Sequence, residues 1–66
     1  MKLYRAEVWR CYPAKERCYC SDWLDTIQDA RECRNDALEE LKQIEPLSRF
    51  QGLVRHTECG TTEALS

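Results

Sequence analysis

Residues 21–45, SDWLDTIQDARECRNDALEELKQIE, constrain the fold more than any other stretch of the chain. Leu24, Ile27, Ala30, Ala37, Leu38, Leu41 and Ile44 recur at steps of three and four, which places them on one face of a helix. Ala, Leu, Glu, Lys, Gln and Arg fill much of the segment and are good helix formers. Ser21 and Asp22 are suitable N-caps, and Asp25 adds negative charge where the helix dipole favours it. Pro46 ends the helix, because it lacks an N–H and biases Glu45 away from the helical region. Thr26 and the Asn35-Asp36 pair are the weak points, where a kink or break is expected if the helix is not continuous.

The remaining segments are short enough to be arranged against this rod. A chain of 66 residues forms one domain, and at that size only about 60% of the unfolded surface is buried. A thin core of this kind commonly needs a staple, a metal or a partner subunit. The sequence has no apolar run of membrane-spanning length, and MKLYRAEVWR carries charges where a signal peptide would be apolar. The expected location is therefore the cytoplasm, with the five cysteines reduced. Their odd number also argues against a closed disulfide framework.

Leu3 to Tyr12 alternates apolar and charged side chains, the pattern of a strand. The even positions Tyr4, Ala6, Val8 and Tyr12, an apolar set broken by Arg10, are expected under the helix, with Leu3 and Trp9 on the other side of the sheet. Pro13-Ala14-Lys15 suits a turn, and Glu16 to Cys20 a short return strand. Pairing Tyr12 with Glu16 would set Trp9 opposite Tyr19 and turn Cys18 and Cys20 inward. Residues 47–51 have no clear pattern. Gly52 to Glu58 forms a third strand, and residues 60–66 form a flexible tail. The expected fold is α+β: a β-β-α-β domain over residues 1–59, its three-stranded sheet covered on one face by one long helix.

The net charge of −2 conceals an asymmetry. Residues 1–21 carry a net +3, residues 22–45 a net −5, and residues 46–66 none. A basic sheet complementing an acidic helix within one fold is the plain explanation. The sharper one is that Asp22, Asp25, Asp29, Glu32, Asp36, Glu39 and Glu40 face a basic partner. Asp25 and Asp29, Glu32 and Asp36, and Asp36 and Glu40 are like charges four apart, each costing a few tenths of a kcal/mol in an isolated helix.

The candidate chemistry is sparse. Cys18, Cys20, His56 and Cys59 form one candidate set for a structural zinc, with Gly60 permitting a tight turn towards the ion. The Cys-x-Cys spacing is shorter than usual, and the plain alternative makes Cys18 and Cys20 core residues and His56 an ordinary strand residue. Cys20, just ahead of the expected helix, has the dipole to lower its thiol pKa, but Asp22 and Asp25 oppose it. A Cys20–His56 couple lacks a group to orient the histidine and any oxyanion donors, so no enzymatic activity is expected. Cys33, between Ala30 and Ala37, belongs to the edge of the core.

Two binding functions remain. Tyr4, Arg5, Trp9, Arg10, Tyr12, Lys15, Arg17 and Tyr19 interleave cations with aromatics, as a single-strand nucleic-acid sheet does, although the acidic balance of the whole chain weighs against this. The favoured expectation is a protein partner. One helix shields one face of a sheet, which leaves Leu3, Trp9 and Tyr19 as anchors, with Asp25, Asp29, Glu32, Asp36 and Glu40 steering towards a positive surface. Open sheet edges also invite strand addition or pairing into a homodimer. The general look, short and acidic with no catalytic set, is similar to small accessory or inhibitor proteins of phages and mobile elements. That likeness rests on size and charge, not on a motif. The expected function is thus non-enzymatic occlusion of a larger protein, with nucleic-acid binding the alternative, no membrane association, and no cofactor unless zinc is bound.

Overall fold

The structure, a computed structural model, describes residues 2–65; Met1 and Ser66, the ends of the expected domain and tail, lie outside the described residues. The elements follow the order β1 (Tyr4–Tyr12), β2 (Glu16–Cys20), α1 (Ile27–Ile44), β3 (Arg49–His56) and β4 (Gly60–Leu65). They build one antiparallel sheet in the order β2-β1-β3-β4, with α1 packed on β1 and β3. The α+β class and the single helix on one face are as expected. The sheet has four strands, not three, and the expected tail is strand β4, paired with β3 from Gly52–Leu65 to His56–Gly60.

The helix begins later than its apolar pattern suggests. Thr26, not Ser21 or Asp22, is the N-cap; its Oγ1 accepts the Asp29 N–H at 3.2 Å. Ser21 is instead engaged with β1: its Oγ accepts the Ala6 N–H at 2.9 Å, and its own N–H donates to the Ala6 carbonyl. Residues 22–25 run alongside the start of β1, where Leu24 bridges Tyr4. Leu24 thus obeys the helical spacing while sitting on an extended segment. At the other end the Glu45 N–H still reaches the Leu41 carbonyl, and Pro46 follows.

The core lies between α1 and the near side of the sheet. Val8, Leu38 and Phe50 form its centre, with Tyr19, Ala37 and Leu41 packed against them. Ala6, Ala30 and Val54 are fully buried beside them. Ala6 and Val8 of β1 therefore do face the helix, but Tyr12 does not: a register shift after Arg10 sets it opposite Arg49 and leaves it exposed. The β1–β2 register differs from expectation: Arg10 pairs with Glu16 and Trp9 with Arg17, then a bulge absorbs Cys18 so that Val8 meets Tyr19 and Glu7 meets Cys20. A bulge of one residue exchanges the faces of everything beyond it. Tyr19 consequently packs into the core instead of stacking outward on Trp9, and Cys18 and Cys20 are exposed instead of inward.

The helix side of the sheet is closed at both margins by charge. Arg10 pairs with Glu16 on β2 and with Glu45 at the helix end. Glu63 on β4 accepts from Arg31 Nε at 2.9 Å and from Arg34 Nη1 at 2.8 Å. These arginines tie β4 to the helix, although an apolar pattern alone gives β4 little reason to dock.

Candidate binding face

The side of the sheet away from α1 carries an organised polar cluster of its own. Strand alternation sends Arg5, Glu7 and Trp9 of β1 to this side, and the register sets them opposite Arg55, Leu53 and Gln51 of β3. On the β2 side the neighbours are Cys20 opposite Glu7 and Arg17 opposite Trp9. No helix covers this face, yet Glu7 is only 1% exposed.

Its own neighbours bury it. Glu7 Oε1 accepts the Trp9 indole N–H at 2.9 Å. Oε2 accepts from Arg5 Nη2 at 3.1 Å and lies 2.9 Å from Arg55 Nε. Burial pushes the Glu7 carboxyl up, but the Trp9 hydrogen bond, the Arg55 charge and the Arg5 hydrogen bond together outweigh it and hold the group below the ordinary carboxylate range. Glu7 is therefore an ionised buried carboxylate, held by hydrogen bonds and paired charge.

Two indoles frame the cluster. Arg5 lies over the Trp23 ring at 4.4 Å, and Lys15 over the Trp9 ring at 5.8 Å. Trp23 reaches this face because the extended segment around Leu24 runs beside β1. Sequence reasoning missed Trp23 by assigning it to the helix; the signal available was a large indole among polar residues ahead of the first buried helical position. Arg55 was missed as well, since it becomes significant only once β3 is seen to pair with Arg5.

Among the residues expected to bind a partner, Trp9 lies on this face and is half-buried. Leu3 is also half-buried, its backbone bonded to the Leu24 carbonyl and to the Thr57 N–H. Tyr19 is on the opposite side, in the core. Asp25, Asp29, Glu32, Asp36 and Glu40 are exposed; Asp25 precedes the N-cap, and the helix phase turns the other four away from the sheet. The acidic face and the open sheet face therefore look in opposite directions, and one flat partner surface cannot meet both.

The candidate zinc residues do not converge. Cys18 and Cys20 are on β2, His56 ends β3 and Cys59 lies in the β3–β4 turn, with β1 between the two halves. His56 Nδ1 accepts the N–H groups of Glu58 at 3.1 Å and Cys59 at 3.4 Å. Gly60, at φ 77°, completes that hairpin. His-x-x-Cys-Gly is thus a real turn, built for strand reversal. Among the described residues no three His, Cys, Asp or Glu side chains group as a metal site would require. The premise for an activated Cys20 also falls away, since the helix starts seven residues later, at Ile27.

Among the described residues no helix is long and apolar enough to cross a membrane. No family model matches the chain, and no curated protein or solved structure matches it either.

Proposed function

We propose that this chain is a small non-enzymatic binding protein that docks on a larger protein through the open face of its sheet. The observation that supports this most is the uncovered cluster of Trp9, Arg5 and Arg55 held in place by a buried Glu7, with Trp23 stacked on Arg5 and Arg17 across from Trp9. Tryptophan and arginine supply most of the energy at protein interfaces, and a pre-ordered cluster loses little side-chain entropy on binding. The mechanism is occlusion of the partner's surface, in the manner of phage or mobile-element accessory and inhibitor proteins. The outward acids of α1 do not touch the partner on this reading. They orient the molecule on approach, because a chain basic on one side and acidic on the other carries a dipole. The five free cysteines suit a reducing compartment, and we place the protein in the cytoplasm.

The test is capture from a host lysate with the chain and with the variants Arg17→Glu and Trp23→Ala. Arg17 makes no ion pair among the described residues, so its reversal alters the face without unpicking the fold. Loss of a captured protein with either variant supports the proposal; capture indifferent to both ends it. Capture of a second copy alone would make the face a homodimer interface.

The second reading, single-stranded nucleic acid on the same face, is favoured by the cations alternating with two indoles. It requires binding to an oligonucleotide that weakens steeply with salt.

A further inference from the structure

We infer that Arg5 and Arg55 form a clamp for a carboxylate group, so that the segment of the partner seated on this face is acidic. This rests on the docking proposed above and names its chemistry.

The argument starts from a charge imbalance. Arg5 and Arg55 are direct partners across β1 and β3, an arrangement that places two like charges opposite each other. One carboxylate, Glu7, serves both, and it serves them with a single oxygen. Its other oxygen is taken by the Trp9 indole. The cluster therefore keeps a net positive charge. Arg5 keeps Nη1, and Arg55 keeps both Nη1 and Nη2, without a hydrogen-bond partner among the described residues. The two side chains remain 26% and 37% exposed, so these donors are within reach of a ligand. Their shared contact to one oxygen keeps the guanidiniums close enough to act on one group. Arg17 and Lys15, also on this side of the sheet, add positive charge with no carboxylate paired to either among the described residues.

The identity of the anion follows from the indoles. Binding a nucleic-acid strand by stacking needs free aromatic faces. Here Arg5 occupies one face of Trp23, Lys15 lies over Trp9, and the Trp9 ring is pinned at its edge by Glu7. A carboxylate needs only the forked donors that remain, and planar bidentate pairing is what arginine does best. Glu7 acts as a positioning residue that holds both guanidiniums in place.

The test uses two probes of equal charge, a labelled oligoglutamate peptide and an oligothymidylate, titrated at low salt. The oligoglutamate is expected to bind, and Arg55→Gln to weaken it about tenfold. Arg55→Lys, which keeps the charge and loses the fork, should weaken it several-fold, with circular dichroism confirming that both variants are folded. Arg49→Gln, which removes an exposed charge at the far end of β3, should leave binding unchanged. Tighter binding of the oligothymidylate, equal losses from Arg55→Gln and Arg49→Gln, or no binding of either probe would each overturn the clamp. A captured protein partner that excess oligoglutamate does not displace would also overturn it while leaving the docking proposal standing.

Discussion

Arg34 of the helix lies directly across Gly52 of β3: a Cβ built on that glycine would stand 2.7 Å from Arg34 Cγ and 3.0 Å from Cδ. The contact falls on the middle of the arginine stem, not on its mobile tip. The missing side chain lets Arg34 lie flat over the sheet and reach Glu63 on the next strand. Gly52→Ala is therefore expected to push Arg34 off its path and loosen the α1–β4 link. Overpacking of this kind costs about 1–3 kcal/mol. Urea denaturation of the two forms measures it, and a stability equal to or above that of the parent would show that Arg34 yields freely.

Glu63 gives the fold an acid limit. The Arg31 hydrogen bonds lower its pKa most; burial opposes them, and Arg34 adds to the lowering, taking the carboxyl from 4.5 to about 2. A carboxylate depressed in the folded state contributes stability that is fully present above its unfolded pKa. That contribution is lost as pH falls from 4.5 towards 2. Glu7, also lowered, titrates in the same direction. Denaturation midpoints measured down this range should fall for the parent and fall less steeply for Glu63→Gln. Equal slopes would remove Glu63 from the account.

Much of this architecture is visible in the residues themselves, and the failures have specific causes. The alternation of β1 identifies its helix-facing positions, because Ala6 and Val8 have no charged neighbours on their own face until Arg10. Pro13 and Pro46 mark the two places where the chain changes element. The sense of Tyr19, by contrast, depends on a single bulge at Cys18, which no periodicity announces. Strand β4 is held by Gly60 at its turn and Glu63 under two arginines, and neither contributes to an apolar pattern. The open face is legible in Trp9 and in the cation–aromatic pattern of Arg5, Lys15 and Arg17, but not in Trp23 or Arg55. Its organising residue, Glu7, looks like an ordinary solvent-side charge until Arg55 is placed across from Arg5.

The hairpin at His56 offers a further check. Its imidazole Nδ1 receives two backbone N–H groups from the turn. His56→Ala removes that acceptor and is expected to destabilise the β3–β4 end by about 0.5–1.5 kcal/mol. Faster amide exchange at Glu58 and Cys59 would report it. Since the ring is committed to the turn and Cys18 and Cys20 lie beyond β1, adding zinc should leave the thermal midpoint unmoved. A rise with zinc that disappears in Cys20→Ser would restore a metal site.

Glu7→Gln is the most direct probe of the open face. The amide is nearly isosteric and can still accept from Trp9, but it leaves Arg5 and Arg55 opposed with no anion between them. Removing a charged acceptor from two donors costs about 1–3 kcal/mol, and partial exposure of both arginines places the effect towards the lower end. The loss should shrink as salt rises, because added ions screen the exposed arginine pair. Paired denaturation curves at low and high salt, followed by tryptophan fluorescence, separate this from a packing defect. Repulsion between guanidiniums yields a salt-dependent difference, whereas a salt-independent one would mean that Glu7 serves the fold by shape and not by charge.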